Sequence, residues 1–383
     1  MHALVAVQVA FCFLVLFVAG LFVATFDRLA YQPTGFSAEQ ILTLDTVAQR
    51  AQPPVFWDQV AEHLRTVPGV ERVALAGWPL LGGGSWNEII SVNGAPPAEV
   101  LPWFLSVSPG WRDTMKIPLI DGRDFLPNDR LPGAVIVNEA FAKEYFGGEN
   151  PVGKSFARTY ERIPFQIVGL VRDARYRSMR EPILPTAYVP FQSIDAKGAL
   201  RAIGRGTFIV RTSSANPLAL ASILRQEVSR ARPEFCVTNI RTQTEINQAQ
   251  MVRERLLAML ALFFAVVALL LAGVGLYGVL DYSVLQRRRE IGIRMAIGAQ
   301  AGDIARRVTV DVFSMVLVGA AAGLALGMAS VRYIETLLYQ VKATDLGVLA
   351  LPSLTILAAA LLAALPAVVR AVRVDPATIL RAE

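Results

Sequence analysis

With 383 residues, 54% of them hydrophobic and only 18% charged, and a mean hydropathy of +0.45, the chain is too apolar for an ordinary soluble protein of its size and reads as a membrane protein. The net charge of +6 does not point to nucleic acid, because the basic residues gather beside apolar windows rather than on one solvent-facing surface. Cys12 lies inside the first apolar window and Cys236 far from it, and the only histidines are His2 and His63, so the composition argues against an intramolecular disulfide, a zinc site or a bound cofactor.

Four windows carry no charged residue: 3–26, 256–280, 312–331 and 346–369. Each reaches the roughly 20 residues needed to cross about 30 Å of hydrocarbon at about 1.5 Å per residue. The first is expected to be transmembrane helix 1 (1–26) rather than a signal peptide, since Met1-His2 lacks a basic flank. A cleavable reading stays open at the small residues Ala19-Gly20.

Residues 27–243 contain no spanning window and have the composition of a folded extracytoplasmic domain of mixed α+β class. Strands are expected at 41–47, Val70–Ala76, 134–137, 165–171, 207–211 and 236–241, and helices at 55–66, 138–146 and 217–231, the second capped by Asn138. The two ends of the block look alike as β-α-β units, so the middle, about 77–206, is read as inserted into one split subdomain. Trp78, Trp86, Trp103 and Trp111 fall in that Pro- and Gly-rich middle. Packing accounts for them, and a partner surface is the alternative.

Chemistry is sparse in this block. Gly148-Glu-Asn-Pro-Val-Gly-Lys-Ser155 matches the phosphate-loop pattern letter for letter, but a phosphate loop needs a strand before it and a helix after it. Here a helix precedes and a strand follows, so the segment reads as a turn. Asp121, Asp124, Glu161 and Asp173 have no neighbouring nucleophile or base indicated, and the chain is not read as an enzyme.

From Thr244 to Leu280 the pattern runs without proline, and without glycine as far as Ala272. It is expected to be one continuous stalk and transmembrane helix 2 (244–280), about 55 Å long. The cytoplasmic loop 281–309 follows, with Arg287, Arg288, Arg289, Arg294, Arg306 and Arg307 against Asp281, Glu290 and Asp303. This excess of positive charge marks the cytoplasmic side. Within it, Ile291, Met295 and Ala299 fall at i, i+4 and i+8, giving a helix with an apolar stripe beside a basic one. Gly298 is expected to break that helix and Asp303 to cap the next.

Transmembrane helix 3 (310–331) carries Gly319, Gly323 and Gly327 on one face. Such a face suits close helix packing, within the subunit or with a second copy, although glycine is also simply frequent in Ala-rich membrane helices. The short outer loop 332–345 is charge-balanced, which with the basic inner loop gives four crossings with both termini cytoplasmic. Transmembrane helix 4 (346–369) leads to a tail, 370–383, in which Asp375-Pro376 starts a helical turn.

Several of these segments resemble the MacB/FtsX-type ABC transporter permeases: Gln8-Val-Ala, Asn138-Glu-Ala-Phe, Gly148-Glu-Asn-Pro-Val-Gly-Lys, Arg253-Glu-Arg-Leu-Leu, Gly275-Leu-Tyr-Gly-Val-Leu, Gln286 through Ala299, and Asp375-Pro-Ala. The resemblance is closest to one half of the duplicated orphan permeases of bacteria, and the start at Met1-His2 looks like the beginning of a second half. It implies an α-helical inner-membrane protein with four transmembrane helices and a mixed α+β extracytoplasmic domain between helices 1 and 2.

It also implies a role in efflux or extrusion by mechanotransmission. A separate cytoplasmic ABC ATPase would push on Arg287, Arg288, Arg289, Glu290, Ile291, Gly292, Ile293, Arg294, Met295, Ala296, Ile297 and Gly298. The implied partners are membrane lipid, that ATPase, and a second copy or paired permease half. The alternative is a membrane-anchored signalling or scaffolding protein that regulates a cell-envelope enzyme; capture of such a hydrolase would separate the two.

Overall fold

The computed structural model describes residues 2–92, 96–97, 99–158, 164–195, 197–286 and 301–372. The chain divides into two compact units, residues 1–31 with 252–383 and residues 32–251. Among the described residues, the first unit is helical and the second is built on a sheet.

The helical unit comprises α1 (His2–Tyr31), α7 (Val252–Gln286), α8 (Ala301–Ile334) and α9 (Leu346–Val372), numbered with the helices of the other unit. Each provides a stretch long and apolar enough to cross a membrane: Ala3–Tyr31, Val252–Tyr282, Phe313–Leu337 (which runs on into the 3-10 turn Glu335–Leu337) and Leu346–Pro366. Helix α1 packs against all three others, and α9 packs against both α7 and α8. Phe17 and Leu21 of α1 are fully buried. The other helices turn broad apolar faces outward, for example Leu260, Phe263 and Leu270 of α7 and Leu317 of α8, as a lipid solvent permits.

The other unit contains an 11-stranded mixed sheet. Its first half is made by β1 (Ile41–Gln52), β2 (Val70–Ala76), β10 (Ile203–Thr212) and β11 (Phe235–Thr242) in the order β11-β1-β10-β2. Helices α2 (Pro54–Arg65) and α5 (Ala221–Ala231) connect β1 to β2 and β10 to β11, which is the split β-α-β arrangement. A 3-10 turn, Pro217–Leu220, precedes α5. Burial alternates over the first four residues of β11, Phe235 to Thr238, and α2 places Trp57, Val60, Ala61 and Leu64 on its buried side. Trp57 is the centre of this core. It meets Phe235 edge-on at 4.6 Å, stacks on Phe208 at 5.7 Å, and donates its indole N–H to the Ile203 carbonyl at 3.2 Å.

The segment between β2 and β10 supplies β3 (Ile90–Val92), β4 (Trp103–Val107), β5 (Leu119–Gly122), β6 (Ala134–Asn138), β7 (Ser155–Arg158), β8 (Pro164–Val171) and β9 (Thr186–Pro190). The order β4-β9-β6-β8-β7-β3 continues the sheet, with β5 on β8; β4–β9 and β6–β8 are parallel pairs. One register pair, Ala76 with Val107, joins the halves. The core here is a second cluster around Phe104, Phe141, Phe156 and Phe165, distinct from that around Trp57. Helix α4 (Glu139–Phe146) starts where expected, with Asn138 Oδ1 accepting from the Phe141 N–H at 3.0 Å, and Gly147 ends it in the left-handed region. The short α3 (Trp111–Met115) lies between β4 and β5.

The structure departs from the expected continuous helix between Thr244 and Leu280. Helix α6 (Gln243–Ala249) is a separate element, opened by a reciprocal capping box between Thr242 and Glu245. It ends in a tightened turn, with Gln250 N–H to the Asn247 carbonyl at 3.2 Å and Met251 N–H to Gln248 at 3.0 Å, before α7 begins at Val252. Its side chains belong to the sheet unit: Gln243 and Ile246 are buried there, and the Gln250 amide donates to the Leu81 carbonyl at 2.7 Å. Local helix propensity continues through this point, but these tertiary bonds set the orientation of α6. Asp303, expected as a cap, lies within α8 as described from Ala301.

Candidate functional site

Helix α7 is described down to Gln286 and α8 from Ala301. The coupling segment between them, Arg287, Arg288, Arg289, Glu290, Ile291, Gly292, Ile293, Arg294, Met295, Ala296, Ile297 and Gly298, lies outside the described residues. So do the Gly298 break, Glu161 and the turn begun by Asp375.

The second set of expected residues, Gly319, Gly323 and Gly327, is brought against α1 of the same chain. A Cβ at Gly319 would fall 2.7 Å from the Val9 Cβ, one at Gly323 2.5 Å from the Ala10 carbonyl oxygen, and one at Gly327 2.8 Å from the Phe17 ring. All three distances are too short for a side chain, so the three glycines let two helix backbones approach over two turns. On the other side of α1, the Gln8 amide donates to the Leu271 carbonyl of α7 at 2.7 Å. A Cβ at Gly275 would overlap that same amide, at 2.3 Å from Gln8 Oε1. Polar Gln8 is thus held by a helix carbonyl in a place only glycine leaves open. At the ends of these helices, Arg28 pairs with Asp345 at 2.6 Å, which ties α1 to the α8–α9 loop.

The phosphate-loop look-alike is a turn between α4 and β7. Gly148 and Gly153 adopt φ of 86° and 83°, the Gly153 N–H is spent on the Ile167 carbonyl at 2.8 Å, and Lys154 pairs with Glu149 at 2.8 Å. The carboxylates nearby go to separate partners. An amide hydrogen bond from Asn150 holds the Asp121 carboxyl below its usual range. Burial pushes Asp124 up, against the Phe125 N–H it accepts at 2.8 Å. Burial likewise raises Asp173, whose Oδ1 accepts from the Ala140 N–H at the start of α4 at 2.9 Å. These are turn and helix-end ligations. His63 meets Glu227 at 2.6 Å.

The four tryptophans are packed rather than presented together. Trp111 lies 5.1 Å from Tyr188, Trp86 5.0 Å from Phe104, and Trp103 is covered by the Arg177 guanidinium at 4.6 Å. Trp78 lies so close over Gly84 that a Cβ there would sit 2.2 Å from the indole.

The segments that join this unit to α1 and α7 carry polar side chains that the sequence reading passed over. Arg211 of β10, only 2% exposed, is tied to the backbone of the segment that follows α1. Its guanidinium donates to the carbonyls of Thr114 (2.7 Å), Glu39 (3.0 Å) and Ser37 (3.2 Å), and burial lowers its pKa. The available signal is an arginine directly after the apolar run Phe208 to Val210, where burial no longer alternates.

A model of the MacB-like periplasmic core domain matches residues 3–227, and a model of the FtsX-like permease C-terminal region matches residues 262–376. The chain belongs to the MacB/FtsX-type permease family. Within it, the pyoverdine export ATP-binding/permease protein PvdT of Pseudomonas aeruginosa is 25% identical over 284 residues, which are 71% of this chain and 39% of that protein. The macrolide export ATP-binding/permease protein MacB of Marinobacter nauticus is 24% identical over 283 residues, 73% of this chain and 42% of that protein. The chain therefore spans about two fifths of the length of these relatives. The solved periplasmic region of MacB from Actinobacillus actinomycetemcomitans aligns with a TM-score of 0.39 at 15% identity, covering 58% of this chain and 97% of that one. Family and four apolar helices together make this a multi-pass protein of the bacterial inner membrane.

Proposed function

We propose that this permease transmits motion from a separate cytoplasmic ABC ATPase to its extracytoplasmic domain, and so drives efflux or extrusion. The observation that carries the reading is the family match over both parts of the chain, periplasmic core and permease region, in relatives named as export ATP-binding/permease proteins. In this reading both termini are cytoplasmic, which the arginine excess in loop 281–309 supports. Ile291, Ile293, Met295 and Ile297 form the contact with the ATPase, and Arg287, Arg288 and Arg289 hold the helix at the membrane surface. Substrate need not pass through the four-helix unit itself. The ATPase presents two equivalent docking sites, which suits a homodimer or a paired half. Because Gly319, Gly323 and Gly327 lie on α1, the pairing uses another face.

Charge reversal at Arg287, Arg288 and Arg289 together is expected to abolish stimulation of a co-purifying ATPase in nanodiscs by the full chain. Unchanged stimulation would sink the proposal, and co-purification of an envelope hydrolase in place of an ATPase would favour the scaffolding role.

A further inference from the structure

The sheet unit is entered through residues 32–40, directly after α1, and left through residues 243–251, directly before α7. These two connectors are far apart in sequence, yet both are bonded to one small set of groups. On the outgoing side, the buried Gln243 amide donates to the Leu80 carbonyl at 2.8 Å, and the Gln250 amide to the Leu81 carbonyl at 2.7 Å. The Leu81 N–H in turn donates to the Tyr176 carbonyl at 2.8 Å. On the incoming side, the neighbouring Arg175 donates its backbone N–H to the Thr34 carbonyl at 2.8 Å and its guanidinium to Gln32 Oε1 at 2.6 Å. Gln32 closes the circuit by donating to the Met179 carbonyl at 2.6 Å, an oxygen that Arg175 also binds at 3.0 Å.

Further along the incoming connector, Arg211 grips the Ser37 and Glu39 carbonyls. The Ser37 N–H donates to Met115, and Thr212 donates its N–H to Gln40, at 2.9 and 2.8 Å.

Backbone strain marks the same place. Non-glycine residues with positive φ include Gln40 (58°), Leu81 (60°) and Lys116 (56°). Gln40 ends the incoming connector, Leu81 takes the bond from the outgoing one, and Lys116 follows the Met115 carbonyl that receives Ser37. A left-handed conformation is costly for a non-glycine residue and persists where the surroundings over-determine it. The bonds just named supply that determination: Leu81 is 1% exposed and has both its N–H and its carbonyl engaged.

We infer that the Leu80–Leu81 turn and Arg175 form a clamp that makes the two connectors one mechanical body, so that displacement of either is delivered to both. The contiguous chain of bonds runs from Gln243 and Gln250 through Leu80, Leu81 and Tyr176 to Arg175, Gln32 and Thr34. Its use in transport rests on the transmission role proposed above, but the clamp itself is a property of this chain alone.

The test is hydrogen–deuterium exchange on the full chain in nanodiscs, comparing the unmodified protein with a Gln243→Leu, Gln250→Leu double variant. Both substitutions lie in the outgoing connector, so a clamp predicts faster exchange, by about tenfold, in peptides covering residues 32–40 as well as at 243–251 and Leu81. Exchange in β6 and β8 should not change and serves as the folding control. Should the double variant lose that control, Gln250→Leu alone, at a half-buried side chain, gives the same comparison. Acceleration confined to residues 243–251 and the Leu81 turn would overturn the inference. Failure of the unmodified chain to stimulate any ATPase would remove the transmission role and leave this result standing.

Discussion

The two units are held together by opposite devices. The sheet unit is filled with large side chains: Trp57, Phe208 and Phe235 in one cluster and Phe104, Phe141, Phe156 and Phe165 in the other are almost wholly removed from water. Its stability comes from apolar area, at roughly 25 cal/mol per Å². The helical unit closes instead by leaving side chains out. Gly319, Gly323, Gly327 and Gly275 bring backbones together, because lipid is as apolar as leucine and burial there gains little. Removing bulk should therefore damage the sheet unit, and adding bulk should damage the helical one.

The largest effect expected is from Trp57→Ala. It deletes the residue that three aromatic rings surround and leaves the Ile203 carbonyl without its indole donor, at a cost of about 3–5 kcal/mol. Denaturant unfolding followed by tryptophan fluorescence should show it, and a loss under about 1 kcal/mol would break the contrast drawn above. Next is Gly323→Leu, which must displace the Ala10 carbonyl and Phe13, for about 1–3 kcal/mol. The same change at Gly278, whose Cβ position is open to at least 4 Å, is the control. Thermal aggregation in detergent should separate the two variants, and equal behaviour would mean that the glycine face does not hold α1.

The smallest effect concerns a polar contact in the sheet unit. Burial pushes the Asp129 carboxyl up, but the Arg123 guanidinium at 2.6 Å and the Leu126 N–H at 2.8 Å outweigh it and hold the group below the usual carboxylate range. A depressed carboxyl stabilises the fold above its unfolded pKa, near 4, and that contribution disappears as pH falls through the lower, folded value. Asp129→Asn should cost about 1 kcal/mol at neutral pH and make the midpoint of denaturation less sensitive to acid below about pH 4. An unaltered acid profile would show that Asp129 is not a linked group.

Much of the secondary structure was legible in advance. Strand β2 runs from Val70 to Ala76 as its apolar pattern requires, and α4 begins after Asn138, because period and caps are local properties that a few neighbouring residues decide. The four spans were readable for the same reason, since a charge-free window of about 20 residues needs no knowledge of its neighbours. The candidate coupling segment was legible only as charge and periodicity, in Arg287, Arg288, Arg289 and Ile291, Met295, Ala299.

What the sequence by itself determined, then, is the number of crossings, the class of the intervening domain and the family, all of them written in runs of adjacent residues. The tertiary structure alone decided which partner each element meets. Ile41 pairs with Arg211 across 170 positions, the glycines of α8 meet α1 of the same chain, and the helix expected to run unbroken past Gln250 is interrupted where the Gln250 side chain is bonded to Leu81. Each of these rests on contacts between distant residues, whose closure depends on the whole folded unit and leaves no periodic trace in the local pattern.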